Sequence, residues 1–268
     1  MQRLTMLMAV MVLLCLSLAY GDADAEKEGL AVMMKFYEQM TTKNFRSDVT
    51  MKLIDRSGKT QTRHVKRLSK TDDKDREKYL VIFVDPPTVR HTALLMCDQN
   101  DRDDDVWFYL PAIKRIKRIS GNNMRSSYVG TEFSFKDVKR EKVGPERCRY
   151  VLVNREKLRG TEHYVLDVFP LSSKEKDEQG YLRRRLWVRT DNYLVSQVEY
   201  YDIDGEHLKT LIASDMRPVG DSGKDRYYKL TMTSRSGVKT VLDFQMMQIN
   251  QQDPPDKFFS KGFLTQKK

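Results

Sequence analysis

The chain has 268 residues, with 48 Lys and Arg against 38 Asp and Glu, for a net charge of +10. Its 40% hydrophobic and 10% aromatic content is too rich for a disordered chain, and the pattern excludes collagen, coiled coils and multi-span membrane proteins. At this length folding buries roughly 70–75% of the extended surface, so no metal or disulfide is needed to hold the core together.

Met1-Gln2-Arg3 is a short cationic start, and Leu4 to Ala19 is apolar apart from Thr5 and Ser17. Small residues follow at Ala19-Tyr20-Gly21, which completes the order of a secretory signal peptide. The apolar run is shorter than the ~20 residues of a spanning helix. Residues 1–21 therefore read as a cleaved signal peptide, and 22–268 as one exported domain. Cys15 follows Leu14 rather than a small residue, so lipoprotein anchoring is not expected. Cleavage removes Arg3 and takes the charge from +10 to +9, which leaves the domain itself basic. An exported protein rarely meets nucleic acid, so an anionic membrane or an acidic partner is the better use for that charge. Export also permits a Cys97–Cys148 bridge. Both cysteines sit in apolar strand-like stretches, where a free Cys packs as a small hydrophobe, and the pairing stays open.

In chain order, Glu26 to Met40 is the one good helix near the start, with Leu30, Met33, Met34, Tyr37 and Met40 at three- and four-residue steps. The period then changes to two. Val49, Met51 and Leu53 alternate with polar residues into the turn Asp55-Arg56-Ser57-Gly58. A basic strand spans Lys59 to Ser69. Tyr79 to Val84 is continuously apolar and is stopped by Asp85-Pro86-Pro87. Ala93 to Cys97 precedes an acidic loop, Asp98 to Asp105, and the aromatic strand Val106 to Leu110 ends at Pro111. Further strands are read at Tyr150 to Val153, His163 to Phe169, Leu186 to Arg189, Val195 to Tyr201, Leu208 to Ile212, Tyr227 to Thr233 and Val238 to Ile249. Asp204-Gly205 marks a hairpin. Asp253-Pro254-Pro255-Asp256 closes the pattern before a partly apolar tail from Lys257 to Leu264. The prediction is a mainly β (α+β) domain, a curled antiparallel sheet of about ten strands with one or more helices over its concave face.

Asp105-Val106-Trp107-Phe108-Tyr109-Leu110-Pro111-Ala112 runs into Ile113-Lys114-Arg115-Ile116-Lys117-Arg118-Ile119-Ser120, then Ser126-Ser127-Tyr128-Val129-Gly130-Thr131-Glu132-Phe133-Ser134-Phe135. An aromatic strand ending in Leu-Pro, a Lys/Arg run ending in Ile-Ser and a Gly-containing segment before a Phe-rich stretch resemble the outer membrane lipoprotein-sorting family. That family is related to the periplasmic lipoprotein carrier LolA. Leu186-Trp187-Val188-Arg189, Val198-Glu199-Tyr200-Tyr201-Asp202, Thr240-Val241-Leu242-Asp243-Phe244 and Asp253 to Phe259 resemble its later segments. The resemblance implies an open half-barrel with helices in its mouth, an acyl chain or other lipid held in the concave face, and transfer between membranes or to an inner-membrane transporter, all in the periplasm. The Asp-rich Asp98 to Asp105 replaces the family's usual turn.

A carrier needs a dry, conformable wall rather than a catalytic group. Each CH2 removed from water contributes ~0.8 kcal/mol. The hydrophobic candidates for that wall are Val106, Phe108 and Leu110, pointing one way, Trp107 and Tyr109, pointing the other, and Phe133 and Phe135. Which set faces the ligand stays open. Lys114, Arg115, Lys117 and Arg118 form a basic lip, with Ile113, Ile116 and Ile119 interleaved, suited to a lipid headgroup, an anionic membrane or an acidic partner face. Arg183, Arg184 and Arg185 are a second basic run, placed near a loop.

Enzyme motifs are missing. There is no nucleophile elbow, His-Glu-x-x-His, Cys-x-x-Cys or phosphate-binding Gly loop. His64, His91, His163 and His207 are dispersed. Asp101, Asp103 and Asp105 mimic the start of a calcium loop, but Val106 stands where Gly is required and Ala112 where Glu is required. No metal, cofactor or catalysis is expected. The alternative to a carrier is a module that senses lipid or binds an exporter or envelope regulator without shuttling cargo.

Overall fold

Along the first strand, Ser47, Val49 and Met51 are buried while the residues between them are not, the alternation of a sheet with one covered face. The computed structural model describes residues 23–99, 102–139 and 142–266. The predicted signal segment, with Cys15, lies outside the described residues, as do Asn100 and Asp101 of the acidic loop. Thirteen strands form one antiparallel sheet: β1 (Asn44–Ile54), β2 (Thr60–Thr71), β3 (Glu77–Asp85), β4 (Ala93–Cys97), β5 (Asp105–Leu110), β6 (Arg115–Arg118), β7 (Cys148–Leu158), β8 (Thr161–Pro170), β9 (Arg183–Arg189), β10 (Val195–Tyr201), β11 (His207–Pro218), β12 (Asp225–Ser234) and β13 (Lys239–Ile249). The helices are α1 (23–40), α2 (Ser173–Gln179) and α3 (Lys261–Thr265).

The mainly β class holds, with thirteen strands among the described residues in place of about ten. One addition is β6, which runs through the basic cluster. Its cations gave no apolar alternation to read, and it is held by pairing with β5 from Trp107↔Arg118 to Leu110↔Arg115. Isoleucines three apart therefore do not share one face. Ile113 is exposed, Ile116 packs on one side of the sheet and Ile119 on the other.

The strand order is β6-β5-β4-β3-β2-β1-β13-β12-β11-β10-β9-β8-β7. It comprises two meanders joined edge to edge by β1 and β13, with β6 and β7 as the outer edges. The sheet is curled and unclosed. The connection from β6 to β7 must cross from one outer edge to the other, and it does so over the inner face. Arg63 of β2 donates to the carbonyl of Val129 in this strap. The Glu132 N–H donates to Thr240 Oγ1 of β13 at 3.0 Å, and Lys209 of β11 donates to the Glu132 carbonyl at 2.9 Å.

The main core lies on the inner face, where Val49, Leu94, Phe108, Leu166, Val188, Met232 and Phe244 meet Val32 and Met33 of α1 and Met124, Tyr128, Phe133 and Phe135 of the strap. The helix lies close because Gly29 faces β7. A side chain there would come within 2.5 Å of the Tyr150 carbonyl oxygen, which cannot move aside as a side chain can. A smaller cluster covers the outer face of β3–β5, where Leu80, Ala93 and Leu95 pack under Phe259 and Leu264 of the tail. Cys97 belongs at the edge of this outer cluster and Cys148 to the inner core, on strands near opposite ends of the sheet, and the two are not joined by a disulfide.

Candidate functional site

The inner face is not completely filled. A cavity of about 390 Å³ remains between the sheet, the C-terminal end of α1 and the strap. This lies at the low end of the ~300–1,000 Å³ usual for small-molecule sites. Phe45, Leu186, Val198, Leu230, Phe244 and Met247 supply apolar wall from five strands, and Phe36 and Met40 supply it from α1. Each lies on the inner face of its strand or helix, and Phe244 and Met247, three residues apart, share that face because the register of β13 against β1 shifts between them.

The cavity is roofed by the strap, and ion pairs hold the roof. Lys136 Nζ lies 2.8 Å from Glu178 and 3.3 Å from Glu175 of α2, and Arg147 reaches Glu175 at 3.2 Å. Lys139 sits between Asp98 (3.2 Å) and Asp104, and Lys142 is 3.3 Å from Asp98. Burial opposes the charge on Lys139, but Asp98 and Asp104 outweigh it and hold the ammonium above its usual range. Burial likewise opposes ionisation of Asp104 and Glu175, and the facing lysines reverse the sign, so both carboxyls titrate below their usual range. Lys209 and Asp137 make the deepest contact, at 2.6 Å, with side chains only 8% and 6% exposed. The Tyr181 hydroxyl donates to the same carboxylate at 2.9 Å, and the Ser134 N–H does so at 2.7 Å.

At the other side of the opening, Lys224 donates to the carbonyls of Glu38, Gln39 and Thr41, and Arg226 donates to that of Gln39. These are the acceptors that a helix C-terminus leaves unsatisfied, and cations there also complement its dipole. Burial lowers the Arg226 guanidinium to about 10, and it remains the charged form at neutral pH.

This architecture recurs in solved structures. An outer membrane lipoprotein-sorting protein domain from Vibrio parahaemolyticus matches with a TM-score of 0.81 and 27% identity, over 90% of this chain and 100% of that one. A DUF1329 family protein from Desulfovibrio piger matches with a TM-score of 0.82 and 28% identity, over 90% and 99%. A LolA superfamily protein from Nitrosomonas europaea shares the fold at a TM-score of 0.69 and 22% identity, over 88% and 98%. Residues 75–266 match a family model whose description is "uncharacterized protein", and no curated protein matches. The chain belongs to the outer membrane lipoprotein-sorting family, with a LolA-like fold.

In this LolA-like protein the aromatic strand keeps the expected parity. Val106, Phe108 and Leu110 face inward, and Trp107 and Tyr109 face outward. Other residues build the cavity wall. Phe108 packs edge-on against Phe135 at 5.5 Å, Phe135 against Tyr128 at 5.5 Å, and Tyr128 lies 5.9 Å from Phe83. Phe133 is buried in the same core. This aromatic plug fills the inner face of β4, β5 and the later part of β3, and leaves space over β1, β2, the start of β3 and β9–β13. Outside, Lys261 sits 3.5 Å over the Trp107 ring. Lys114, Arg115, Lys117 and Arg118 are all exposed along edge strand β6 and its turn, and Arg118 also pairs with Asp105 at 3.5 Å. Arg183 and Arg185 both clamp Asp167, whereas Arg184 between them faces the cavity. The acidic loop spends Asp103 on Lys174, Asp104 on Lys139 and Asp105 on Arg102, and among the described residues no group of acids, His or Cys is arranged to hold a metal.

Apart from Asp98 and Asp104 of the acidic loop, the residues of the roof ion pairs carry no conspicuous signal in the sequence. For Glu175 a local signal exists. Ser172 accepts from the Glu175 N–H at 3.1 Å, and Ser-x-x-Glu is the spacing that opens a helix.

Proposed function

We propose that this LolA-like protein is a periplasmic carrier that takes a lipid or lipoprotein acyl chain into its inner-face cavity and passes it between membranes or to a partner transporter. The observation that carries the proposal is the unfilled space of about 390 Å³ between an apolar sheet and an ion-paired roof. Partial burial of a dozen methylenes, at ~0.8 kcal/mol each, offsets several kcal/mol of ordering cost. No bond need be made or broken, so the role is non-enzymatic. The exposed Lys114, Arg115, Lys117 and Arg118 dock the carrier on an anionic membrane surface or an acidic transporter face. Their place on a sheet edge, away from the cavity wall, favours docking over contact with cargo.

The test is mass spectrometry of the organic extract from gently purified protein, followed by transfer of the extracted species between donor and acceptor vesicles. Recovered acyl lipid that moves with the protein is the expected result. Protein that purifies empty and takes up no lipid overturns the carrier reading. Lipid that binds without transfer supports the sensing module instead.

A further inference from the structure

The cavity wall carries several cations. Those of the roof are neutralised: Lys136, Lys139, Lys142 and Arg147 each face a carboxylate at 3.3 Å or closer. Arg67 of β2 is different. It lines the cavity, and among the described residues no carboxylate lies within 4.0 Å of it. The rings of Phe45, Tyr79 and Phe244 surround its guanidinium at 5.2–5.4 Å, and its Nε–H donates to the Tyr79 hydroxyl. A guanidinium has five N–H donors in a rigid fork. One is used here, and the aromatic faces fix the plane without consuming the rest.

A second, independent polar group stands beside it. Ser47 pairs directly with Arg67 across β1 and β2, and with Met247 of the wall across β1 and β13. Ser47 is completely buried, and among the described residues its hydroxyl has no hydrogen-bond partner. Buried hydroxyls are almost always satisfied, so a lone one next to an unsaturated guanidinium needs a reason. A ligand oxygen would satisfy both. Carboxylate and phosphate are the groups whose paired oxygens match an arginine fork.

We propose that Arg67 and Ser47 form a headgroup subsite for an acidic amphiphile, with its carboxylate or phosphate on the fork and its chain along Val198, Leu230 and Phe244. This rests on the lipid-binding reading above and adds the charge class of the cargo. The small volume favours one chain.

The test uses delipidated protein and three probes with the same hydrocarbon chain: palmitate, hexadecyl phosphate and hexadecanol. Inorganic phosphate serves as a fourth probe. One acidic amphiphile should bind about tenfold more tightly than the alcohol, the scale of one charge-assisted hydrogen bond. Which acid wins tells carboxylate from phosphate. Arg67→Gln should erase the preference, so that acid and alcohol bind alike, and Arg67→Lys should restore part of it. Ser47→Ala, which breaks no bond within the protein, should weaken the acid alone and serves if Arg67→Gln fails to fold. Equal affinity for alcohol and acids overturns the subsite and leaves the lipid cavity standing. Failure of all three amphiphiles overturns both. Inorganic phosphate binding as tightly as hexadecyl phosphate overturns the assignment to a lipid head.

Discussion

Lys209→Met tests whether the roof is latched by charge. The Lys209–Asp137 pair is 2.6 Å long and more than nine-tenths buried on both sides. Removing one partner of such a pair leaves an uncompensated charge and costs ~3–5 kcal/mol. Asp137 keeps the Tyr181 hydroxyl and the Ser134 N–H, which places the loss near the bottom of that range, about 3 kcal/mol. For a domain of this size each kcal/mol lowers Tm by ~2–4 °C, so thermal unfolding followed by circular dichroism should show a drop of about 6–12 °C. The double variant Lys209→Met/Asp137→Asn removes the stranded charge while keeping an acceptor for Tyr181, and should recover most of the loss. A single variant within about 2 °C of wild type, below the shift expected for 1 kcal/mol, would refute the latch. A double variant no better than the single one would show that the stranded charge is not the cause.

Reversing Lys114, Arg115, Lys117 and Arg118 to Glu should abolish binding to anionic liposomes, since each cation at such a surface contributes ~1 kcal/mol at low salt. Unchanged sedimentation with the vesicles would sink the docking role. Acid should open the roof: Asp104 and Glu175 have folded values below their unfolded ones, so their contribution is present above the ordinary carboxyl range and is lost as pH falls through the lowered values. Lys139, shifted upward, keeps its contribution until alkaline pH. Limited proteolysis within the strap should therefore rise near pH 3 and stay flat from neutral to moderately alkaline conditions, and equal protection throughout would contradict the assignment. Burial raises the Cys97 thiol to about 11, so it should resist a thiol reagent at pH 8 until the protein is unfolded.

Much of the fold was legible because strands with one covered face write their burial into the sequence. Val49, Met51 and Leu53 gave β1, and Asp204-Gly205 gave a real turn, with Gly205 at φ 82°. The helix from Glu26 to Met40 appeared over 23–40 because its apolar residues recur on one face. Strand β6 was hidden because its residues are cations, and nothing local records that β5 pairs with them. The cavity was hidden for a different reason. Its wall takes one or two residues from each of many strands, and Val198 or Leu230 looks like any other inward position. Arg67 was concealed inside a basic strand, where only the pleat separates it from outward-facing Lys66. The same parity divides Arg184 from Arg183 and Arg185. The aromatic strand drew attention because it is conspicuous, but its inward side is already occupied by Tyr128 and Phe135 of the strap, which approach from far along the chain.

The order of the sheet has a consequence for how the chain folds. Every neighbouring pair of strands except one is consecutive in sequence, so each meander can zip from local turns. The exception joins β1 to β13, where Val49 meets Phe244 at the middle of the finished sheet. Closing that seam requires the most distant parts of the domain to meet, and its loop entropy must be met before the contacts return anything. The seam is thus the expected slow event of assembly. Substitutions there, such as Met51→Ala, should retard refolding more than equally buried changes within either wing, such as Leu94→Ala or Leu166→Ala.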